Sequence, residues 1–143
     1  MRVIEIKRAR ISSGSFSLPL FTSSVPAGFP NPAEDEIEQA LDLNALMIAH
    51  PAATFFVRVS GDSMKDAGIF SGDILVVDRS LEAANGKIVV AIIQGEFTVK
   101  RLVMRQNKII LAAENPAYAP IEITEESEFQ VWGVVTYVIH RTA

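Results

Sequence analysis

Two residues in this chain are of types that could cooperate in nucleophilic chemistry. Ser63 lies in the turn-like stretch Ser60-Gly61-Asp62-Ser63-Met64, and Lys100 lies inside the run Glu96-Phe97-Thr98-Val99-Lys100-Arg101-Leu102. A serine hydroxyl is a weak nucleophile until a base takes its proton, and a neutral lysine amine can be that base without a histidine. Lysine loses its charge near neutral pH only where burial penalises the ammonium form. Flanked by Phe97, Val99, Leu102 and Val103, Lys100 meets that condition if its face of the strand is covered.

Taken singly, each residue has an ordinary reading. Gly-Asp-Ser is common turn composition, in which the hydroxyl caps a backbone N–H. A strand lysine usually runs its stem along apolar surface and leaves its ammonium in water. Alternation groups Lys100 with Thr98 and Leu102, and Arg101 with Phe97 and Val99; it does not decide which set faces inward. Other serine arrangements fit less well. Ser63 lacks the Gly-x-Ser-x-Gly elbow, and a triad would need His50, which precedes a proline at a helix end, or His140, three residues from the end of the chain.

The elements that must position these residues are mostly β. Apolar, β-branched runs predict strands at 54–60, 73–78, 87–93, 96–104, 108–113 and 129–139. Gly72-Asp73, Asn85-Gly86, Gln94-Gly95, Gln106-Asn107 and Glu114-Asn115-Pro116 supply the turns between them. The run Ile88-Val89-Val90-Ala91-Ile92-Ile93 is apolar on both faces and is expected to be a central strand, joined by the tight Gln94-Gly95 loop to the strand carrying Lys100. Residues 33–50 are expected to be helical: Ile37, Ala40 and Leu41 recur at helical spacing, Asp42 can cap a further turn with Leu43, Leu46 and Met47, and Pro51 ends it. Residues 1–32 differ in character. Serines and prolines dominate 11–28, scattered with Phe16, Leu20, Phe21 and Val25, which predicts an extended arm able to dock in a groove. The expected architecture is a twisted β domain over 33–143, with a short helical segment at its start and an extended arm over 1–32.

Composition narrows the function classes. At 143 residues and 49% hydrophobic, the chain can bury the core of one domain. Its net charge of −4 argues against direct binding of nucleic acid, and the basic cluster Arg2, Lys7, Arg8 and Arg10 reads as a solvated tail. There is no cysteine, hence no disulfide and no thiolate metal site. No apolar run approaches the roughly 18 residues of a membrane span, so a soluble, cytoplasmic protein is expected.

The motifs together resemble the LexA/UmuD family of self-cleaving serine peptidases (S24). Val59-Ser60-Gly61-Asp62-Ser63-Met64-Lys65-Asp66-Ala67-Gly68-Ile69, followed by Gly72-Asp73-Ile74-Leu75-Val76-Val77-Asp78, is similar to the family's serine segment. Gly95-Glu96-Phe97-Thr98-Val99-Lys100-Arg101-Leu102 is similar to its lysine segment, and Asn115-Pro116-Ala117-Tyr118-Ala119-Pro120-Ile121 and Val131-Trp132-Gly133-Val134-Val135 to its later strands. Phe29-Pro30-Asn31-Pro32-Ala33, Asp42-Leu43-Asn44 and His50-Pro51 favour the UmuD branch, as do the few residues ahead of Ala27-Gly28, too few for a repressor's DNA-binding domain.

The resemblance implies a LexA/signal-peptidase-like β fold in which Ser63 attacks the carbonyl of Ala27 and Lys100 accepts the serine proton. The backbone N–H groups of Asp62 and Ser63 would hold the oxyanion, and the Ala27-Gly28 bond would be cut with Val25 as an apolar anchor. Alanine at 27 matches LexA-type sites, where enteric members of the UmuD branch carry cysteine. The resemblance further implies no cofactor or metal, stimulation by a RecA filament on single-stranded DNA, and a homodimeric product that joins a UmuC-type subunit in an error-prone translesion polymerase. Alternatives are a self-cleaving regulator like LexA or phage repressors, and a non-catalytic polymerase-binding module. A membrane signal peptidase shares the dyad chemistry but would need an anchor segment.

Overall fold

A computed structural model describes residues 1–10, 17–21 and 37–143. They fall into two compact units, one formed by 1–10 with 50–143 and the other by 11–49.

The larger unit is a single antiparallel sheet. Its strands are β1 (Arg2–Arg8), β4 (Thr54–Ser60), β5 (Ile74–Asp78), β6 (Ile88–Ile93), β7 (Glu96–Arg105), β8 (Lys108–Ala112), β9 (Ile121–Glu122) and β10 (Phe129–Ile139). In space they run β1-β4-β5-β10-β6-β7-β8-β9, and β1 also pairs with β7 through Arg2 and Thr98. The sheet therefore closes on itself, and β1 is the strand that closes it. The six strands predicted between 54 and 139 all form, with ends differing by a residue or two.

Local chemistry explains the hairpins. Gln94 and Gly95 both take positive φ, at 49° and 80°, between the paired Ile93 and Glu96. Gln106 and Asn107, at 47° and 63°, do the same between Arg105 and Lys108. Two consecutive left-handed residues match the right-handed twist of the flanking strands, so both turns set the register of β7 from each end. β6 lies between β10 and β7. Its Val90 joins a core cluster with Val57, Val59, Met64, Ile69, Leu75, Val77 and Val99, while Val89 and Ala91 join Leu102, Leu111 and Val134 on its other face. An apolar strand buried on both sides is what its composition predicted. Each such aliphatic side chain stabilises the fold by roughly 1.5–3 kcal/mol before conformational entropy is set against it.

Two local expectations are corrected. The basic cluster near the amino end is not a solvated tail. Arg2–Arg8 is a strand, with Val3 and Ile6 packed on the core and Arg2, Lys7 and Arg8 turned outward. An irregularity between Val3 and Glu5 in the ladder with β4 shifts the alternation, so two apolar residues three apart face the same way. That shift hides the strand from a period-two search.

In the smaller unit, residues 37–42 are not helical. Ile37–Asp42 is a strand, β3, paired antiparallel with β2 (Ser17–Phe21), and only Leu43–Met47 is helix, α1. Six residues are too few for apolar spacing to separate helix from strand, and a pairing partner some twenty residues away decided it. Asp42 caps α1 as expected, accepting from the Asn44 N–H at 3.0 Å.

Candidate active site

Ser63 follows β4 on a turn whose first residue, Gly61, has φ 99°, a conformation that disfavours any side chain. Beyond Ser63 the chain enters a short 3-10 turn, Lys65–Ala67. Met64, fully buried in the core cluster, anchors the turn from below. A second loop, after β8, clasps it from the side. The Glu114 N–H donates to the Ser63 carbonyl at 2.8 Å, and Asp66 N–H to the Glu114 carbonyl at 2.9 Å. Asn115 Nδ2 donates to the Asp62 carbonyl at 2.9 Å, and the Tyr118 hydroxyl to Asp62 Oδ1 at 2.6 Å. The Asp62-Ser63 peptide is thus held at its carbonyl by Asn115, while Tyr118 holds the Asp62 side chain and the Glu114 backbone holds the next carbonyl.

Lys100 points inward from the middle of β7. Ser63 and Lys100 are only 1% and 6% exposed. Arg101, on the opposite face, pairs with Glu114 and donates to the Gly86 carbonyl, which resolves the choice that alternation left open. The Lys100 ammonium donates to Ser63 Oγ at 3.2 Å, Thr98 Oγ1 at 3.0 Å and the Val99 carbonyl at 3.1 Å. Burial lowers its pKa from the ordinary 10.5, opposed in part by a hydrogen bond with the chain's own terminal amine. A lowered pKa makes the neutral amine accessible, and a neutral amine at this distance can accept the serine proton.

That terminal amine is a participant the sequence did not foretell. The α-amine of Met1 stands 2.6 Å from Ser63 Oγ. Desolvation, then hydrogen bonding and repulsion with Lys100, bring its pKa from 8.0 to about 5. At neutral pH the amine is therefore uncharged. Thr98 is a second residue missed; its hydroxyl bridges Lys100 and the Met1 carbonyl, donating to the latter at 3.3 Å. It shares the Lys100 face of β7, and that two-residue spacing was the only sequence signal for it.

A cavity of about 500 Å³ opens beside the pair, lined by Met1, Phe97, Lys100, Tyr118, Ala119 and Ile121 among others. Both histidines are engaged elsewhere: His50 Nδ1 lies 2.6 Å from Asp78 Oδ2, and His140 Nδ1 2.6 Å from Asp73 Oδ1. Among the described residues no group of three or more His, Cys, Asp or Glu is placed to hold a metal, and no helix is long and apolar enough to cross a membrane. Val25, Ala27 and Gly28 lie outside the described residues.

Comparison with known proteins follows the same line. Residues 19–136 match the family model described as Peptidase S24-like. Protein SamA of Salmonella typhimurium is 53% identical over 124 residues, covering 87% of this chain and 86% of that protein. Protein ImpA of Shigella flexneri is 48% identical over 136 residues, covering 90% and 87%. LexA repressor 1 of Pseudomonas putida is 44% identical over 141 residues, covering 98% of this chain but 69% of that protein. A family model spanning most of the chain, relatives this similar along nearly their whole length, and a β sheet that brings a serine and a buried lysine together give one conclusion: the chain belongs to the peptidase S24-like family, as a UmuD-type member among self-cleaving serine peptidases.

Proposed function

We propose that Ser63 and Lys100 are the nucleophile and general base of a self-cleaving peptidase that cuts its own chain between Ala27 and Gly28. The observation that carries this reading is the 3.2 Å approach of Lys100 Nζ to Ser63 Oγ at a site where both are buried. Neutral Lys100 takes the serine proton as Oγ adds to the Ala27 carbonyl. The N–H groups of Asp62 and Ser63, on the clasped turn, stabilise the oxyanion. The C–N bond then breaks, and Lys100 returns its proton to the departing Gly28 amine, leaving an ester that water hydrolyses. Val25 fills an apolar subsite. The arm, read from the sequence as residues 1–32, carries the bond that is cut, and residues 33–143 are the catalytic and dimerisation domain. A tethered substrate meets the site at high effective concentration, so the reaction needs little intrinsic affinity.

The similarity to UmuD-type proteins supports the wider assignment: cleavage during the SOS response to DNA damage, promoted by a RecA filament on single-stranded DNA. The product, residues 28–143, would be a homodimeric accessory subunit of a UmuC-type translesion polymerase. The test is direct. Purified chain incubated with RecA, nucleotide and single-stranded DNA should yield a fragment whose mass corresponds to 28–143. Ser63→Ala and Lys100→Ala should each remove that product while leaving the thermal transition in place; cleavage surviving in Ser63→Ala would overturn the assignment. Co-purification of 28–143 with the polymerase subunit, equal for wild type and Ser63→Ala, tests the binding role separately.

A further inference from the structure

Lys100 and Arg101 are neighbours on β7 that face opposite ways, and each reaches the Ser63 turn by its own route. Lys100 Nζ lies 3.2 Å from Ser63 Oγ on the buried face. On the other face, Arg101 Nε donates to Glu114 Oε1 and its Nη1 donates to the Gly86 carbonyl at 2.7 Å. Gly86 is itself tied to β7, its N–H donating to the Leu102 carbonyl at 2.8 Å. The Glu114 main chain then turns back to the serine. Its N–H donates to the Ser63 carbonyl at 2.8 Å, and its carbonyl accepts from the Asp66 N–H at 2.9 Å. These contacts close a ring: the Ser63 hydroxyl is held by Lys100, and the Ser63 carbonyl by a residue that Arg101 holds. The loop that carries Glu114 has no regular structure of its own to place it. β8 ends at Ala112, the residue opposite Arg101, and 113–120 continue without helix or strand. A planar guanidinium with one prong on a fixed carbonyl and the other on Glu114 sets both the distance and the direction of that crossing.

We infer that Arg101 and Glu114 are positioning residues for self-cleavage: the guanidinium fork fixes where the Glu114 main chain meets the Ser63 turn, and so aims Ser63 Oγ and the neighbouring N–H groups at the acyl carbon. Neither side chain touches the reacting atoms. Both are about one-third exposed, and an ion pair that open to water adds little to global stability. Its effect falls on geometry instead, where a misplacement of about 1 Å can cost about 100-fold in rate. Base and brace are consecutive residues of one strand. A shift of β7 therefore carries Lys100 and the serine turn together and preserves the approach of Nζ to Oγ.

This inference rests on the reading of Ser63 and Lys100 as the cleaving pair, and one arm of its test does not depend on that reading. Arg101→Ala, Glu114→Ala, the double variant and Glu114→Gln are made in the full chain, and self-cleavage is followed across pH 6–11. Each alanine variant should lower the alkaline plateau about tenfold or more. The midpoint of the pH profile should stay in place, because the burial that sets the Lys100 pKa is untouched. The double variant should be no slower than the slower single one, as for two parts of one brace. Glu114→Gln keeps an oxygen to accept from the guanidinium and should recover most of the rate. The independent arm is amide hydrogen exchange: in Arg101→Ala the Asp66 and Glu114 N–H groups should exchange about tenfold faster, while those of β6 keep their wild-type rates. An unchanged plateau, a shifted midpoint, or wild-type exchange at Asp66 and Glu114 would overturn the inference. If the wild type does not cut itself yet exchange responds as expected, the brace on the turn stands and the cleavage assignment fails.

Discussion

Thr98 offers a way to move the proposed base without touching it. Thr98 Oγ1 is one of the acceptors around Lys100 Nζ, with Ser63 Oγ and the Val99 carbonyl, so replacing Thr98 by the isosteric valine takes an acceptor away from a buried cation. A hydrogen bond to a charged group contributes about 1.5–3 kcal/mol, against about 0.5–1.5 kcal/mol for a neutral one. Only the difference, roughly 1–1.5 kcal/mol, acts on the protonation equilibrium, and about 1.4 kcal/mol is one pKa unit. The sign is set by which form loses more. The charged form does, so the Lys100 pKa falls further below 10.5 than burial alone takes it. Self-cleavage of the wild type should rise about tenfold per pH unit and level off below pH 10.5. In Thr98→Val that limb should shift down by about one unit, with cleavage at pH 7 roughly tenfold faster, whereas Thr98→Ser should restore the wild-type position. The assay is a gel or mass-spectrometric time course across pH 6–11 at constant ionic strength. A limb that stays in place, or moves up, would refute the view that the Thr98 hydroxyl stabilises the ammonium.

Further outcomes follow from other contacts. Gly133→Ala places a Cβ 2.5 Å from Val77 Cγ1, so it should cost about 1–3 kcal/mol by overpacking and lower Tm by roughly 2–10 °C in a calorimetric scan. Tyr118→Phe, losing only the exposed bond to Asp62, should slow cleavage with Tm unchanged, whereas Asn115→Ala should slow it and also destabilise the fold by about 1–3 kcal/mol in urea titration, because Asn115 is buried. Burial pushes the Asp78 pKa up, but hydrogen bonds from Ser80 and His50 outweigh it and hold the value below 3.8. Asp78→Asn should therefore be less stable than wild type at neutral pH, and the gap should close as pH falls below 3.8 through the lower folded value; a gap that persists in acid would count against this linkage.

Much of the fold was legible because it depends on neighbours in sequence. The central strand followed from unbroken apolar composition over 88–93, and the β6–β7 hairpin from a Gln-Gly pair suited to left-handed backbone. Where the outcome depended on a distant partner, local pattern misled. Ile37–Asp42 took the strand that β2 offered, and the basic residues at the amino end masked a strand whose alternation is broken by a ladder irregularity. The asparagine and tyrosine after β8 were visible as a motif, yet their work of clasping the Ser63 turn requires Glu114 and Ser63 to be adjacent, which only sheet closure brings about.

The same division runs through the site. Residue types and context established from sequence alone that Ser63 could be a nucleophile and Lys100 a base, because nucleophilicity and basicity belong to side chains and the need for burial to a chain's apolar surroundings. Distance, exposure and the third party belong to tertiary structure. Lys100 rather than Arg101 faces inward because Glu114 and Gly86 engage the guanidinium on the opposite side of β7. The Met1 amine reaches Ser63, 62 positions away, only because β1 fills the gap between β4 and β7.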